Sequence, residues 1–192
     1  MVTDTGPAPG SVAPPPGCPV PARPASAPAP GTVLPSHYQR CLGCGIDHPT
    51  GLRMQMVAGE GLSVTGRVTL TEHHQGAPGL AHGGLLAVAL DEVLGGLGWL
   101  LHKPMVTGRL QVEYLRPVQI GRTLDLAAQV AGVDGRRIFC RASARLAPVD
   151  PDQGPGEVAA RAFGVFVAVP LEHFRTHGRA LDVRARSWEV NP

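Results

Sequence analysis

The feature that most constrains this chain is an apolar run that extends from about residue 80 to residue 101 without a proline. A run of this length predicts one helix of about five turns. Its apolar residues, among them Leu85, Val88 and Leu90, fall on nearly every face of such a helix. A helix of that kind is buried on most sides, so the remaining segments must supply the structure that surrounds it.

Segments in which apolar and polar residues alternate lie on both sides of the helix, and each predicts a strand with one buried face. They lie near residues 52–56, 62–70, 105–116, 122–133, 136–147 and 157–169. The Asp134-Gly135 pair between two of them is a strong hairpin signal. Helix and strand do not alternate along the chain, so nothing requires parallel pairing. We therefore predict an α+β fold, with an antiparallel β-sheet wrapped around one long central helix.

The 192 residues accommodate one domain of ordinary size. Residues 1–36 hold most of the Pro and Ala enrichment and no aromatic residue. Such a segment cannot bury enough apolar surface to offset its ordering entropy, so we expect a disordered arm there. The domain itself is expected over residues 37–172, with a C-terminal tail over 173–192.

Charge and composition argue against several classes of protein. The formal net charge is +2 and the basic residues are scattered, so nucleic acid is not an expected partner. The arm has no basic segment followed by an apolar one, and we expect a cytoplasmic protein. The helix is almost long enough to cross a membrane, but Asp91 and Glu92 would each cost about 2.5–3.5 kcal/mol at its middle, so no membrane span is expected.

Cys41 and Cys44 form a C-x-x-C pair, with His48 nearby in the sequence. A closed structural zinc site needs four protein ligands, and no second pair is placed to complete this one. We therefore expect no metal site and no cofactor, and we interpret the cysteines as packing residues of the segment that leads into the first strands.

Asp91 and Glu92 are the unexplained residues of the helix. Neighbours in a helix point about 100° apart, so at least one carboxylate must lie in a pocket or at a subunit interface. Before them, Gly83 and Gly84 lie at the predicted helix N-terminus, where unpaired N–H groups and the helix dipole favour an oxyanion. The absence of a Cβ lets a substrate carbonyl approach closely. The helix thus combines an oxyanion site with a carboxylate two turns later.

The spacing H-G-G-x6-D, from His82 to Asp91, resembles the signature of hotdog-fold acyl-CoA thioesterases, especially the phenylacetyl-CoA thioesterase (PaaI-like) family. The segments "CLGCG", "GAPGLAHGG" and "VTGRLQVEYLRPV" are similar to that family's lead-in, active-site loop and third strand, in the same order. The resemblance covers about residues 37–170. It implies a hotdog fold and hydrolysis of acyl-CoA to a carboxylic acid and CoA. It also implies a homodimer, often paired into a tetramer, with active sites between subunits.

By the same resemblance, Gly83 N–H polarises the thioester carbonyl and His82 helps to shape that site. Asp91 acts either as the nucleophile or as the base for water, and Thr107 positions water or carboxylate. Counting along the strand puts Thr107 on the face away from the helix unless Gly108 forms a bulge. An ordinary strand threonine is the alternative.

Coenzyme A carries phosphates, so arginines are expected near the site entrance. Arg136 in the "GVDGRR" hairpin resembles a CoA-contacting residue, with Arg116 and Arg137 as further candidates and a solvated hairpin charge as the alternative for each. Gln75, after His74 in the loop before the helix, is a further candidate to reach the thioester.

Two other functions compete with hydrolysis. A non-catalytic acyl-CoA or acyl-carrier-protein binding module would keep the pocket without productive chemistry. A hotdog hydratase needs a different pairing of Asp and His, and no histidine follows Asp91 until His102. For Glu92 we expect contact with the subunit interface or with a structural arginine.

Overall fold

The computed structural model describes residues 12–149 and 154–178. Seven strands are β1 (Val33–Leu34), β2 (Gln55–Ala58), β3 (Ser63–Thr69), β4 (Met105–Tyr114), β5 (Thr123–Asp134), β6 (Arg137–Leu146) and β7 (Val158–Ala168). They form one antiparallel sheet in the order β1-β2-β3-β5-β6-β7-β4. The predicted sheet and its six alternating strands are confirmed, and the two-residue β1 is a strand that the pattern did not indicate.

The central helix is α1 (Gly83–Gly95), followed by the short α2 (Leu97–Leu101). Gly96, which lies between the two, keeps helical backbone angles (φ −55°, ψ −22°), so the predicted long helix is confirmed with a local irregularity at this residue. Glycine is a weak helix former, and here it also permits a close approach. A Cβ at Gly96 would lie 2.8 Å from the sulfur of Met56 in β2.

The sheet curves around α1, which contacts β3, β4, β5, β6 and β7. Leu90, Val93 and Leu94 are completely buried there. By length and mean hydropathy of 1.6, the stretch Gly83–Leu101 is one that could cross a membrane, but 61% of it is buried inside the protein. It therefore packs as the core helix of a folded domain.

The N-terminal arm differs from the disordered segment that we expected over residues 1–36. Its first 11 residues lie outside the described residues, but the remainder lies along the sheet. Arg23 donates a hydrogen bond to the carbonyl of Gly59 at 2.7 Å, and Val133 N donates to Pro19 O at 2.9 Å. The arm is held by backbone groups that the sheet leaves unpaired.

The C-terminal side adds one short helix, α3 (Glu172–His177), at the start of the predicted tail. The tail beyond residue 178 and part of the Pro- and Gly-rich loop before β7 lie outside the described residues. Phe174 of α3 reaches the cavity beside α1, so the domain's functional surface extends past the predicted boundary at 172.

Candidate active site

Thr107 and Asp91 are brought together by β4 and α1. The Thr107 hydroxyl donates a hydrogen bond to Asp91 Oδ1 at 2.8 Å. The bulge that this contact requires is present, because the register with β7 shifts between Thr107 and Arg109. The extra residue, Gly108, turns Thr107 toward the helix while Leu110 keeps its inward position.

Asp91 is partly buried at this contact. Burial raises the pKa of its carboxyl group, the hydrogen bond from Thr107 lowers it, and the nearby Cys41 raises it, with a net rise. A carboxylate that is partly removed from water is a stronger base than an exposed one, and the hydroxyl fixes one of its oxygens. This environment suits either attack on a carbonyl or proton removal from water.

The N-terminus of α1 offers one unused backbone donor. His82 is the N-cap, and its Nδ1 accepts a hydrogen bond from Gly84 N at 2.9 Å. Leu85 N donates to His82 O at 2.9 Å, while the N–H of Gly83 has no hydrogen-bond partner among the described residues. The available donor is therefore the N–H of Gly83, whereas the N–H of Gly84 is occupied by the cap.

Tyr114 covers the first turn of α1, and sequence reasoning did not assign it to the site. Its hydroxyl donates to Gly83 O at 3.0 Å, and its ring lies 3.5 Å from where a Cβ on Gly83 would stand. The signal was its period-2 spacing from Leu110 and Val112, which put it on the helix-facing side of β4. The contact fixes the orientation of the Gly83 peptide.

The Asp91–Thr107 pair borders two depressions. One is a cavity of about 460 Å³ whose apolar lining includes Met56, Trp99, Met105, Phe166 and Phe174. The other is a groove of about 440 Å³ lined by Gly84, Ala87, Val88 and Leu110 among others. A substrate bond positioned beside Asp91 and Thr107 would have the apolar cavity on one side and the open groove on the other.

The predicted CoA-binding arginines do not line either depression. Arg136 lies exposed in the β5–β6 turn, where its carbonyl accepts from Ala168 N. Arg137 is paired with Asp134 at 2.5 Å in the same turn. Arg116 pairs with Glu157 at 2.9 Å and lines a separate groove that also includes Gly83 and Tyr114.

The loop candidates have structural contacts of their own. Gln75 accepts a hydrogen bond from Gly79 N at 2.6 Å. His74 is only 2% exposed and contacts the carbonyl of Thr50 at 3.2 Å. Both side chains hold the loop before α1, and neither lines the cavity or the groove at Asp91.

Glu92 faces residues 37–45, the lead-in segment, whereas we expected it to contact the subunit interface or a structural arginine. Its Oε1 lies 3.6 Å from His37 Nδ1, and its Oε2 accepts from Cys41 Sγ at 3.4 Å. Burial, and then the nearby Cys41, raises the pKa of Glu92 to about 7. A histidine and a carboxylate thus lie beside the Cys41 and Cys44 pair, a grouping that the sequence spacing did not indicate.

Residues 78–148 match the model of the thioesterase superfamily. The chain is 31% identical over 65 residues to acyl-coenzyme A thioesterase THEM4 of Xenopus laevis, covering 34% of this chain and 29% of that one. It is 28% identical over 98 residues to acyl-coenzyme A thioesterase THEM5 of Mus musculus, covering 51% of this chain and 37% of that one. The chain thus spans only about a third of these relatives' length.

Among solved structures, the thioesterase superfamily protein RHA08564 is 35% identical with a TM-score of 0.52, covering 59% of this chain and 55% of that one. The Escherichia coli PaaI protein from the phenylacetic acid degradation operon is 18% identical, with a TM-score of 0.54 and coverage of 62% and 81%. A hypothetical thioesterase of Streptococcus pneumoniae TIGR4 is 15% identical, with a TM-score of 0.50 and coverage of 56% and 83%. These likenesses confirm the predicted fold.

Proposed function

We propose that this chain, which carries a hotdog domain of the thioesterase superfamily, hydrolyses acyl-CoA thioesters to a carboxylic acid and free CoA. The observation that carries the proposal is the hydrogen bond from Thr107 to Asp91, beside the apolar cavity. The S. pneumoniae thioesterase supports it. Its solved forms include an aspartate-to-alanine and a threonine-to-alanine mutant at positions sixteen residues apart, and one form with coenzyme A. Asp91 and Thr107 have the same separation.

In the proposed complex the acyl chain enters the cavity beside Asp91, and the thioester carbonyl oxygen accepts from Gly83 N–H. The eight residues from Gly83 to Asp91 span about 12 Å of helix, so the two groups that act on one thioester belong to different subunits of the homodimer proposed below. The Gly83 donor costs no reorganisation, because it is already unpaired at a helix N-terminus. Negative charge that develops on the oxygen is also favoured by the helix dipole. Tyr114 assists by holding the Gly83 peptide in place.

Asp91 can then promote hydrolysis by either of two mechanisms. As a base it takes a proton from water, whose oxygen attacks the carbonyl carbon; the C–S bond breaks and CoA leaves as a thiol once protonated. As a nucleophile its oxygen displaces CoA, and water hydrolyses the resulting anhydride. In both routes Thr107 orients the carboxylate through Oδ1.

We also propose that the chain acts as a homodimer. β4 is a ten-residue strand at the end of the sheet and pairs with β7 on one side only, within the described residues. Long edges of this kind favour pairing with another chain. Tyr114 and Leu115 at its end are 53% and 47% exposed. Sedimentation at several protein concentrations tests this proposal, and a monomer at every concentration would contradict it.

Activity is tested by release of free thiol from short, long and aromatic acyl-CoAs, with binding of each compound measured alongside by calorimetry. We expect turnover of at least one compound and a preference that follows the shape of the acyl group. Saturable binding of acyl-CoA without any turnover would instead favour the non-catalytic binding module. Absence of both binding and turnover for every compound in the panel would reject an acyl-CoA function altogether.

A further inference from the structure

Four side chains of three types converge between the lead-in segment and α1, namely His37, Cys41, Cys44 and Glu92. One donor atom from each lies within 4.8 Å of all the others. We propose that these residues bind one zinc ion in a closed, structural site that fastens the lead-in segment to the catalytic helix.

Three separations between the donor groups fall in the range of a tetrahedral zinc site. Cys44 Sγ lies 3.4 Å from His37 Nδ1, Cys41 Sγ lies 3.4 Å from Glu92 Oε2, and His37 Nδ1 lies 3.6 Å from Glu92 Oε1. Zinc bonds of 2.0–2.3 Å in a tetrahedron put neighbouring donors about 3.3–3.8 Å apart. The other donor pairs lie within 4.8 Å and would have to close in by up to about 1.5 Å to coordinate one ion.

The chain around the turn that contains Cys41 and Cys44 places hydrogen-bonding groups beside both sulfur atoms. Gly43 N donates to Cys41 Sγ at 3.3 Å, and the Ser36 hydroxyl lies 3.2 Å from Cys44 Sγ. Hydrogen bonds of this kind orient thiolate ligands and stabilise their charge. A Cβ on Gly43 would overlap the Glu92 carboxylate, and one on Gly45 would overlap the backbone of Cys41. Both glycines allow the turn to close against the helix.

The donor set selects the metal. Two thiolates with one imidazole favour zinc over magnesium or calcium, which prefer oxygen ligands. Four protein ligands fill the tetrahedron, which makes the site structural and leaves no coordination position for water or substrate. Cys44 is buried and the Glu92 side chain is only 11% exposed, whereas the His37 side chain is 35% exposed, so the ion would be covered on the helix side and reach solvent at His37.

The position of the zinc site gives it a structural role that is separate from thioester hydrolysis. Glu92 follows Asp91 on α1, and His37, Tyr38 and Cys41 line the same cavity as Asp91. A zinc ion would fix the wall that this segment contributes to the cavity. The proposal explains why two adjacent carboxylates lie in the middle of an apolar helix, since one faces the substrate cavity and Thr107 while the other completes a metal site.

The test is the zinc content of the full-length chain after purification without chelators, measured by plasma mass spectrometry. We expect about one zinc per chain in the wild type. We expect loss of most of it in Cys44→Ser and a clear reduction in Glu92→Gln. His48→Ala and Cys18→Ser are matched controls, because these residues lie outside the cluster, and both should retain the ion.

A second measurement keeps the proposal testable if the variants fold poorly. Wild type reconstituted with Co²⁺ should show thiolate-to-cobalt charge transfer and the visible bands of tetrahedral cobalt. The proposal is overturned if the reduced wild type binds neither Zn²⁺ nor Co²⁺, if Cys41 and Cys44 form a disulfide in the purified protein, or if Cys44→Ser and Glu92→Gln retain wild-type zinc. None of these readouts depends on thioesterase activity.

Discussion

Asp91 and Glu92 are consecutive on α1 yet accept hydrogen bonds from different parts of the chain, Asp91 from Thr107 in β4 and Glu92 from Cys41 in the lead-in segment. Because neighbouring helical residues point about 100° apart, one short stretch of helix serves two environments. Substitutions at the two positions should therefore affect different properties, activity at the first and metal content at the second.

Thr107→Val removes the hydroxyl while keeping the shape of the side chain. Loss of a hydrogen bond to a charged group costs about 1.5–3 kcal/mol, so we expect kcat/KM for acyl-CoA hydrolysis to fall about 10- to 100-fold. Steady-state thiol release measures this. Thr107→Ser should recover most of the rate, and a valine variant as active as wild type would show that the hydroxyl has no catalytic role.

Deletion of Gly108 tests the bulge. Without the extra residue, regular pairing with β7 would turn Thr107 to the face away from α1. We expect the deletion to lower kcat/KM to about the level of Thr107→Val, and the combined variant to show no further loss, because both changes remove one interaction. Additive losses in the combined variant would mean that the bulge has a function other than the orientation of Thr107. Circular dichroism checks that each variant is folded.

Chelation should destabilise the wild type through the zinc site. An ion present at about 100 times its Kd stabilises the folded state by about 2.7 kcal/mol, which corresponds to about 5–10 °C in Tm for a chain of this size. Thermal unfolding with and without chelator measures the shift, and added Zn²⁺ should reverse it. Cys44→Ser serves as the reference, since its Tm should not respond to chelator; an equal response would place the metal elsewhere.

Leu90→Ala should report on the core helix. Leu90 is completely buried between α1 and the sheet, and truncation of such a residue costs about 2–5 kcal/mol. Urea unfolding should show this loss, whereas Val149→Ala, at a residue 86% exposed, should change the free energy of unfolding by less than about 0.5 kcal/mol. Equal effects of the two substitutions would contradict the burial of this helix face.

The sequence predicted the features that depend on local pattern. Alternation gave the strands, the apolar run gave the helix, and Gly83 and Asp91 were identified from their spacing. The irregularity at Gly96 was missed because glycine weakens a helix without excluding it, and the close contact with Met56 depends on tertiary packing.

The remaining differences come from long-range contacts. Glu92 and Cys41 are 51 residues apart, so no local spacing indicates that a helix carboxylate completes a C-x-x-C pair. The order of the N-terminal arm likewise depends on unpaired backbone groups of the sheet, which its own composition does not report. Thr107 was assigned by resemblance, and its orientation followed only from the bulge.

The central claim is that Asp91 of α1, held by Thr107, carries out thioester hydrolysis. Its most direct test is kcat/KM for the best acyl-CoA substrate in Asp91→Asn beside Asp125→Asn, which removes an exposed carboxylate that pairs with Arg67 on β3. We predict a loss of about 100-fold or more in Asp91→Asn and near wild-type turnover in Asp125→Asn, with both variants folded. Equal turnover in Asp91→Asn and wild type would contradict the claim.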